Sequence, residues 1–170
     1  IFYLGIAFQQ EKRLYDARIA YERALALNPK SAAIASNLGT IAKEAEEWES
    51  AVKYFQRALE IEPGLAEAHN NLGTTLRVLG RSDEAEASLK MATALKPDYA
   101  EAQYNLGNTL RELGRLDEAE ASLRKAIALR PNYAKAQYNL GVTLKDLNRL
   151  EDAEATLKKA IAIRPEYTKA

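Results

Sequence analysis

The chain has 170 residues, of which 47% are hydrophobic and 28% are charged, so it has enough apolar side chains for a packed core. Twenty-four Lys and Arg residues balance twenty-four Asp and Glu residues, and the formal net charge is zero. Proteins that bind nucleic acid or anionic lipid usually carry a basic excess, so we expect neither a nucleic-acid nor a membrane partner. The lack of cysteine excludes disulfides, a thiolate nucleophile and cysteine-ligated metal sites.

No apolar run approaches the roughly 20 residues that a membrane-spanning helix needs, because charged residues interrupt the longest runs every few positions. The sequence therefore predicts a soluble protein. The cytoplasm is the favoured compartment, although a chain without thiols is compatible with reducing and oxidising surroundings alike. The first residue is Ile1 rather than methionine, and residues 1–5 resemble the middle of a helix, so we expect a piece of a longer chain.

A 34-residue period runs through the whole chain. All five prolines follow it, and so do five of the eight glycines: Pro29, Pro63, Pro97, Pro131 and Pro165, with Gly5, Gly39, Gly73, Gly107 and Gly141. With that glycine at the eighth position, the predicted repeats span residues 1–31 (lacking the first three positions), 32–65, 66–99, 100–133 and 134–167, and residues 168–170 begin a further repeat. No linker interrupts the series, so we expect one continuous solenoid over residues 1–170.

Each repeat predicts two amphipathic helices. In repeat 100–133 one stripe of mostly apolar or small residues follows the helical period, and a second stripe follows the turn: Gln103, Leu106, Gly107 and Leu110, then Ala119, Leu123, Ala126 and Ile127. The two helices are joined by a short turn, which predicts an antiparallel hairpin.

Turn and capping residues punctuate the same repeat. Gly114 is predicted to end the first helix in a left-handed conformation, and Asp117 is predicted to cap the second helix. Asp98 and Glu101 have the spacing of a capping box, and Pro97 prevents the preceding helix from continuing. These signals predict where each helix begins and ends.

A set of small and apolar residues recurs at fixed repeat positions. In repeat 32–65 these are Leu38-Gly39, Ala51, Phe55, Ala58 and Pro63, at the seventh, eighth, twentieth, twenty-fourth, twenty-seventh and thirty-second positions. On these residues the chain resembles the tetratricopeptide repeat family. The resemblance implies an all-α fold, a right-handed superhelical solenoid of antiparallel helix pairs. It also implies that first helices line a concave groove that binds another protein or an extended peptide.

Asparagine recurs at the sixth position of four repeats: Asn37, Asn71, Asn105 and Asn139. A side-chain amide both donates and accepts, so such a ladder is suited to the backbone of an extended peptide. The Asn-Leu-Gly form resembles the tetratricopeptide superhelix of O-linked N-acetylglucosamine transferases, in which such asparagines hold the protein substrate. Inheritance from one duplicated ancestral repeat is the alternative explanation of the ladder.

Further groove candidates lie near the ladder. A basic column occupies the twelfth position, as Lys43, Arg77, Arg111 and Lys145, and acidic neighbours follow it at Glu44, Glu112 and Asp146. A solvated face is the alternative interpretation of this charge pattern. Asn108, Tyr104 and Tyr138 add amide and aromatic contacts on the same predicted face.

Nothing in the sequence predicts catalysis, a metal site or a cofactor. His69 is the only histidine, and no glycine-rich phosphate loop or nucleophile elbow is present. The favoured function is therefore a scaffold that binds a protein or peptide. Two alternatives are the substrate-docking region of a larger glycosyltransferase or sulfotransferase, and a scaffold that forms homo-oligomers through uncapped terminal repeats, where Leu157 and Ile161 lack a partner.

Overall fold

The computed structural model describes residues 1–165, so the predicted start of a further repeat at residues 168–170 lies outside that range. The chain forms two compact units, unit 1 over Ile1–Leu95 and unit 2 from Lys96 onwards. Unit 1 contains six helices: α1 Phe2–Gln10, α2 Leu14–Leu27, α3 Ala32–Glu44, α4 Trp48–Ile61, α5 Ala66–Val78 and α6 Ser82–Leu95. Unit 2 contains four in its described part: α7 Ala100–Glu112, α8 Leu116–Leu129, α9 Ala134–Asp146 and α10 Leu150–Ile163.

The helices pack as consecutive pairs, from α1 with α2 to α9 with α10, and successive pairs stack within each unit. The cores consist of the apolar stripes, with Tyr21, Phe55 and Leu89 fully buried in unit 1 and Leu123 and Leu144 in unit 2. The predicted fold class, an all-α array of antiparallel helix pairs, is confirmed. Among residues 1–165, no helix has both the length and the apolar character needed to cross a bilayer.

Glycine at the eighth position allows the two helices of a pair to approach closely. A Cβ atom added to Gly39 would lie 2.6 Å from the ring of Phe55, and one added to Gly107 would lie 2.7 Å from Leu123 Cγ. Both distances are far below van der Waals contact, so a larger residue would push the helices apart. The glycine period in the sequence therefore reflects helix packing.

The turn inside each helix pair uses a left-handed residue at the fifteenth position. Gly80 and Gly114 have φ angles of 74° and 75°, which confirms the conformation predicted for Gly114. Lys12, Glu46 and Asn148 take φ angles of 58°, 59° and 60° at the same position. The backbone of this turn is therefore the same whether or not the residue is glycine.

The predicted side-chain caps at Asp98 and Asp117 are wrong. The N-cap residues of α7 and α8 are Tyr99 and Arg115, and neither helix has a side-chain capping hydrogen bond. Asp98 precedes its N-cap residue, and Asp117 is already the second helical residue, where a carboxylate interacts with the helix dipole but does not cap. Arg115 instead pairs with Glu118 at 2.6 Å across the first turn.

Candidate functional site

The residues predicted to bind a peptide lie on the first helices of the pairs. We define the first-helix face of each unit as its fifth, sixth, ninth and twelfth repeat positions, on α3 and α5 in unit 1 and on α7 and α9 in unit 2. The two faces include the four ladder asparagines and the basic column. The contacts within each unit show how these side chains are held.

In unit 1, α3 and α5 are joined by a polar contact between two predicted site residues. Lys43 Nζ donates to Asn71 Oδ1 at 2.7 Å, and Asn71 is half-buried. A lysine only donates, so this contact fixes the orientation of the Asn71 amide. The backbone carbonyl of Asn71 accepts from the Thr75 hydroxyl at 2.7 Å.

A second ladder residue, Asn37, forms a hydrogen bond with the Tyr21 side chain of the preceding helix pair. The Tyr21 hydroxyl also donates to Gln9 Oε1 at 3.1 Å, so Tyr21 links α1, α2 and α3. Burial raises the pKa of Tyr21, and the hydrogen bond with Asn37 offsets part of that rise. Tyr21 and Gln9 were not predicted from the sequence as members of this polar network.

In unit 2, the equivalent contact between α7 and α9 uses different side chains. Asn139 Nδ2 donates to Asn108 Oδ1 at 2.6 Å and to the Tyr104 hydroxyl at 3.2 Å. Asn108 and Asn105 are buried, with 8% and 7% of their surfaces exposed, whereas Asn139 is half-buried. Three predicted site residues, Tyr104, Asn108 and Asn139, are therefore brought together in one cluster.

The basic column is less uniform than its sequence pattern. Arg111 Nη1 lies 3.8 Å from Asp146 Oδ2, and its buried Nε has no hydrogen-bond partner within residues 1–165. Lys145 is exposed, whereas Arg77 and Tyr138 are half-buried and take part in contacts with their surroundings. The cations of the basic column therefore differ in burial and in the contacts that they make.

Threonines at the tenth position form a feature that the sequence analysis missed. Thr75, Thr109 and Thr143 are fully buried, and each donates its hydroxyl to the carbonyl oxygen of the ladder asparagine one turn earlier, at 2.7, 3.0 and 2.8 Å. The recurrence of threonine at the tenth repeat position was the sequence pattern from which this feature could have been predicted. A threonine hydroxyl can be buried among apolar residues because its hydrogen-bond donor is satisfied by a backbone carbonyl of the preceding turn.

The described part of the chain contains no group of three or more His, Cys, Asp or Glu side chains arranged to hold a metal ion. The single histidine contacts the backbone, with His69 Nε2 lying 3.0 Å from the carbonyl oxygen of Pro63. The polar side chains of the first-helix face are hydrogen-bond donors and acceptors, which are groups suited to binding a ligand.

Residues 31–98, 64–132 and 98–166 match the family model described as tetratricopeptide repeat. Among solved structures, the chain is similar to MamA, with 23% identity, a TM-score of 0.88 and 98% of both chains covered. It is also similar to YrrB, with 28% identity, a TM-score of 0.84, and 98% of this chain and 86% of YrrB covered.

A third similar structure is PilF of Pseudomonas aeruginosa, with 21% identity, a TM-score of 0.86, and 95% of this chain and 73% of PilF covered. No curated protein sequence matches the chain. The three structures support the repeat fold and give no particular support to the resemblance to glycosyltransferases. The family matches cover residues 31–166, so the chain belongs to the tetratricopeptide repeat family of protein-interaction scaffolds.

Proposed function

We propose that this chain binds an extended peptide segment of a partner protein along its first-helix face. YrrB, which shares 28% identity with it, is described as a TPR protein with an unusual peptide-binding site. The main support comes from the chain itself, because the ladder residues Asn71 and Asn139 retain unused hydrogen-bonding groups that match a peptide backbone.

The observation that carries the proposal is that the side-chain amides of two ladder residues, Asn71 and Asn139, each have one group in use and one group available. Asn71 accepts from Lys43 through Oδ1, and within residues 1–165 its Nδ2 group has no partner. Asn139 donates through Nδ2 to Asn108 and Tyr104, and its Oδ1 atom has no partner in the same range. Asn71 is thus set to donate to a peptide carbonyl, and Asn139 to accept from a peptide N–H.

The internal hydrogen bonds also lower the cost of binding. Lys43 fixes the orientation of Asn71, and Asn108 with Tyr104 fixes that of Asn139. A side chain that is already held loses little rotamer freedom when a ligand arrives, so more of each new hydrogen bond appears as affinity. We propose that Asn71 and Asn139 each contact the peptide through one group of the side-chain amide, because the other group is used within the chain.

Arg111 is the cation of the first-helix face with the clearest spare capacity. Its Nε is buried without an acceptor in the described chain, and its Nη1 is 3.8 Å from Asp146, beyond hydrogen-bonding distance. A guanidinium has five N–H donors, so Arg111 can take a carbonyl or carboxylate oxygen of the bound segment. We propose Arg111 as the polar anchor of the unit 2 part of the face.

The experiment starts from peptides selected against the full chain from a displayed random library. For a selected peptide, N-methylation of alternate backbone amides should abolish binding, whereas exchanging exposed side chains should change affinity little. Asn71→Ala and Asn139→Ala should each weaken binding by about tenfold, the value of one hydrogen bond of roughly 1.4 kcal/mol.

Asn28→Ala is the matched control, because Asn28 is exposed at the end of α2 and away from the first-helix face. Circular dichroism would verify that each variant keeps its helical content. Unchanged affinity in both ladder variants, or full binding by the N-methylated peptide, would refute binding through the peptide backbone.

A finer proposal is that this face docks the protein substrate of a larger glycosyltransferase or sulfotransferase. The Asn-Leu-Gly recurrence at Asn37, Asn71, Asn105 and Asn139 supports it. Sequencing the intact gene beyond the codon for Ala170 is the direct test. A reading frame without a transferase domain would exclude this proposal and leave peptide binding untouched.

Self-assembly is a second candidate, favoured by an apolar cleft of about 350 Å³ on α10. Leu150, Leu157 and Ile161 line the cleft, and Leu150 is 60% exposed. The prediction that Leu157 lacks a packing partner is wrong, because its Cγ atom packs against Gly141. A second copy covering this cleft should give a dimer by analytical ultracentrifugation that Leu150→Asp converts to monomer; a monomeric parent chain would exclude it.

A further inference from the structure

A second polar site lies in unit 2, outside the first-helix face. A cleft of about 420 Å³ opens where the loop before α9 meets the start of α7 and the end of α10. Its lining includes Glu101, Arg130, Asn132, Tyr133, Lys135 and Arg164. The volume is within the range of small ligand sites, which usually span about 300 to 1,000 Å³.

The lining of the unit 2 cleft is strongly cationic. Arg130, Lys135 and Arg164 contribute three positive charges, and among the lining residues within 1–165 Glu101 contributes the only carboxylate. All four side chains are exposed, so the field of the three cations reaches solvent. Lys135 is also in the first turn of α9, where the helix dipole adds partial positive charge. The cleft is therefore suited to an anionic ligand.

Aromatic packing holds one of these cations in place. The Arg130 guanidinium lies over the Tyr133 ring at 4.6 Å, and the Tyr133 ring lies 5.0 Å from the Tyr104 ring. A guanidinium stacked in this way keeps its N–H edge free to pair with a carboxylate, as is common for arginine in recognition sites. Arg130 is thus oriented before a ligand arrives.

The charge of the cleft is not a feature inherited by repeat duplication. Repeats 100–133 and 134–167 differ mainly by substitutions that keep charge, but at the second position Glu101 is replaced by Lys135, the one place where the sign reverses. At the thirty-first position unit 1 has Asn28 and Glu62, whereas unit 2 has Lys96, Arg130 and Arg164. Lys135 therefore adds to the cleft a cation that duplication of repeat 100–133 does not produce.

We propose that the unit 2 cleft binds an acidic peptide, a segment with consecutive Asp or Glu side chains. Adjacent carboxylates on one peptide match the three cations that surround the open cleft. The chain has zero net charge, so it has no general attraction to acidic polymers that would cause non-specific binding of such a peptide. The proposal stands apart from binding at the first-helix face, because none of the ladder or basic-column residues lines the cleft.

The test measures binding of a fluorescent pentaglutamate peptide to the full chain by anisotropy. Lys135→Glu restores the residue of the preceding repeat and should weaken binding by about tenfold, the value of one charge-assisted hydrogen bond. Arg130→Gln should weaken it by a similar factor. Lys125→Glu is the matched control: it makes the same change of charge at an exposed residue of α8 that does not line the cleft, and should change affinity less than about twofold.

Three results would overturn the proposal: no binding of pentaglutamate by the parent chain, equal losses in Lys135→Glu and Lys125→Glu, or complete displacement of the peptide by an equal concentration of inorganic phosphate. The outcome is distinguishable from that of the first-helix proposal. Asn71→Ala, in unit 1, should leave pentaglutamate binding unchanged, and Lys135→Glu should leave binding of a selected uncharged peptide unchanged.

Discussion

The fifteenth residue of each repeat shows how a fixed backbone constrains side-chain choice. This turn has a positive φ angle in all five repeats, yet only Gly80 and Gly114 are glycine. An L-residue in the left-handed region costs about 1–2 kcal/mol, and asparagine bears this cost best. Lys12 and Glu46 therefore carry local strain that the packing of the helix pairs maintains.

We expect Glu46→Gly to raise the free energy of unfolding by about 0.5–1 kcal/mol, because relief of strain exceeds the entropy that glycine adds to the unfolded chain. Gly114→Ala should lower it by about 1 kcal/mol for the opposite reason. Urea denaturation monitored by circular dichroism would measure both. Gly64→Ala is the control for Gly114→Ala, since Gly64 has no positive φ and no atom near its missing Cβ. It should raise the free energy of unfolding by about 0.4–1 kcal/mol; a loss at Gly64 equal to that at Gly114 would argue against strain.

Tyr21 gives a prediction about alkaline stability. Its pKa is raised in the folded chain from a usual value of 10.0, so folding favours the protonated hydroxyl. The stability from this shift is fully present below about pH 10 and is lost as pH rises through the folded pKa. Tyr21→Phe, which copies Phe55 of the next repeat, should cost about 1 kcal/mol at pH 7 through its lost hydrogen bonds.

Above about pH 10 that difference should shrink, because only the parent chain must ionise a buried phenol. Chemical denaturation of both proteins from pH 7 to pH 11 would measure the change, and the other tyrosines and lysines cancel in the comparison. A stability difference that stays constant over this range would show that Tyr21 does not titrate with a shifted pKa.

At the residue scale, the sequence predicted backbone conformations that only certain residue types adopt. It did not predict contacts that depend on the position of another residue. The left-handed turn at Gly114 was predicted because only glycine adopts it without strain. The caps at Asp98 and Asp117 were predicted incorrectly because a shift of one or two residues in the helix start removes them. The hydrogen bonds of Tyr21 were not predicted, because they depend on how α1 and α3 stack on α2.

Between elements, successive first helices are joined by polar contacts whose chemistry changes along the chain. The sixth position is asparagine in both units, but its partner is Lys43 from the twelfth position in unit 1 and Asn108 from the ninth position in unit 2. The ninth residue is Thr40 in the first case, too short a side chain to serve as Asn108 does. The period predicted where the asparagines lie, whereas their partners depend on positions that vary.

A double-mutant cycle tests the contact between α7 and α9. Asn108→Ala and Asn139→Ala should each destabilise the chain, and the double variant should lose less than the sum, with a coupling energy of about 0.5–1.5 kcal/mol. Urea denaturation would give the four unfolding free energies. The control cycle pairs Asn108→Ala with Asn132→Ala, an exposed loop residue, and should be additive. Additivity in the first cycle would mean that the 2.6 Å contact contributes no stability.

For the whole molecule, the 34-residue period was enough to predict an all-α fold of antiparallel pairs, because two apolar stripes and a glycine per repeat leave few ways to pack. For the candidate site, the sequence predicted which helix face carries the polar residues but not which of their groups are available to a ligand. Which half of Asn71 or Asn139 remains available depends on hydrogen bonds between repeats, and no periodic pattern encodes them. The cationic cleft was missed because Arg130 and Lys135 come from adjacent repeats, and the period does not predict that their side chains line one cleft.

Amide hydrogen exchange can locate peptide binding across the molecule. A peptide that binds only the folded chain lowers the population of open states, and the effect is largest in the helices it contacts. Binding along the first-helix face of a unit should therefore slow exchange most in that unit's first helices, α3 and α5 in unit 1 or α7 and α9 in unit 2, and less in its second helices. Exchange measured by mass spectrometry, with and without a selected peptide, gives this map. Equal protection of first and second helices would indicate global stabilisation, and protection confined to α10 would place the peptide on the apolar cleft around Leu150 instead.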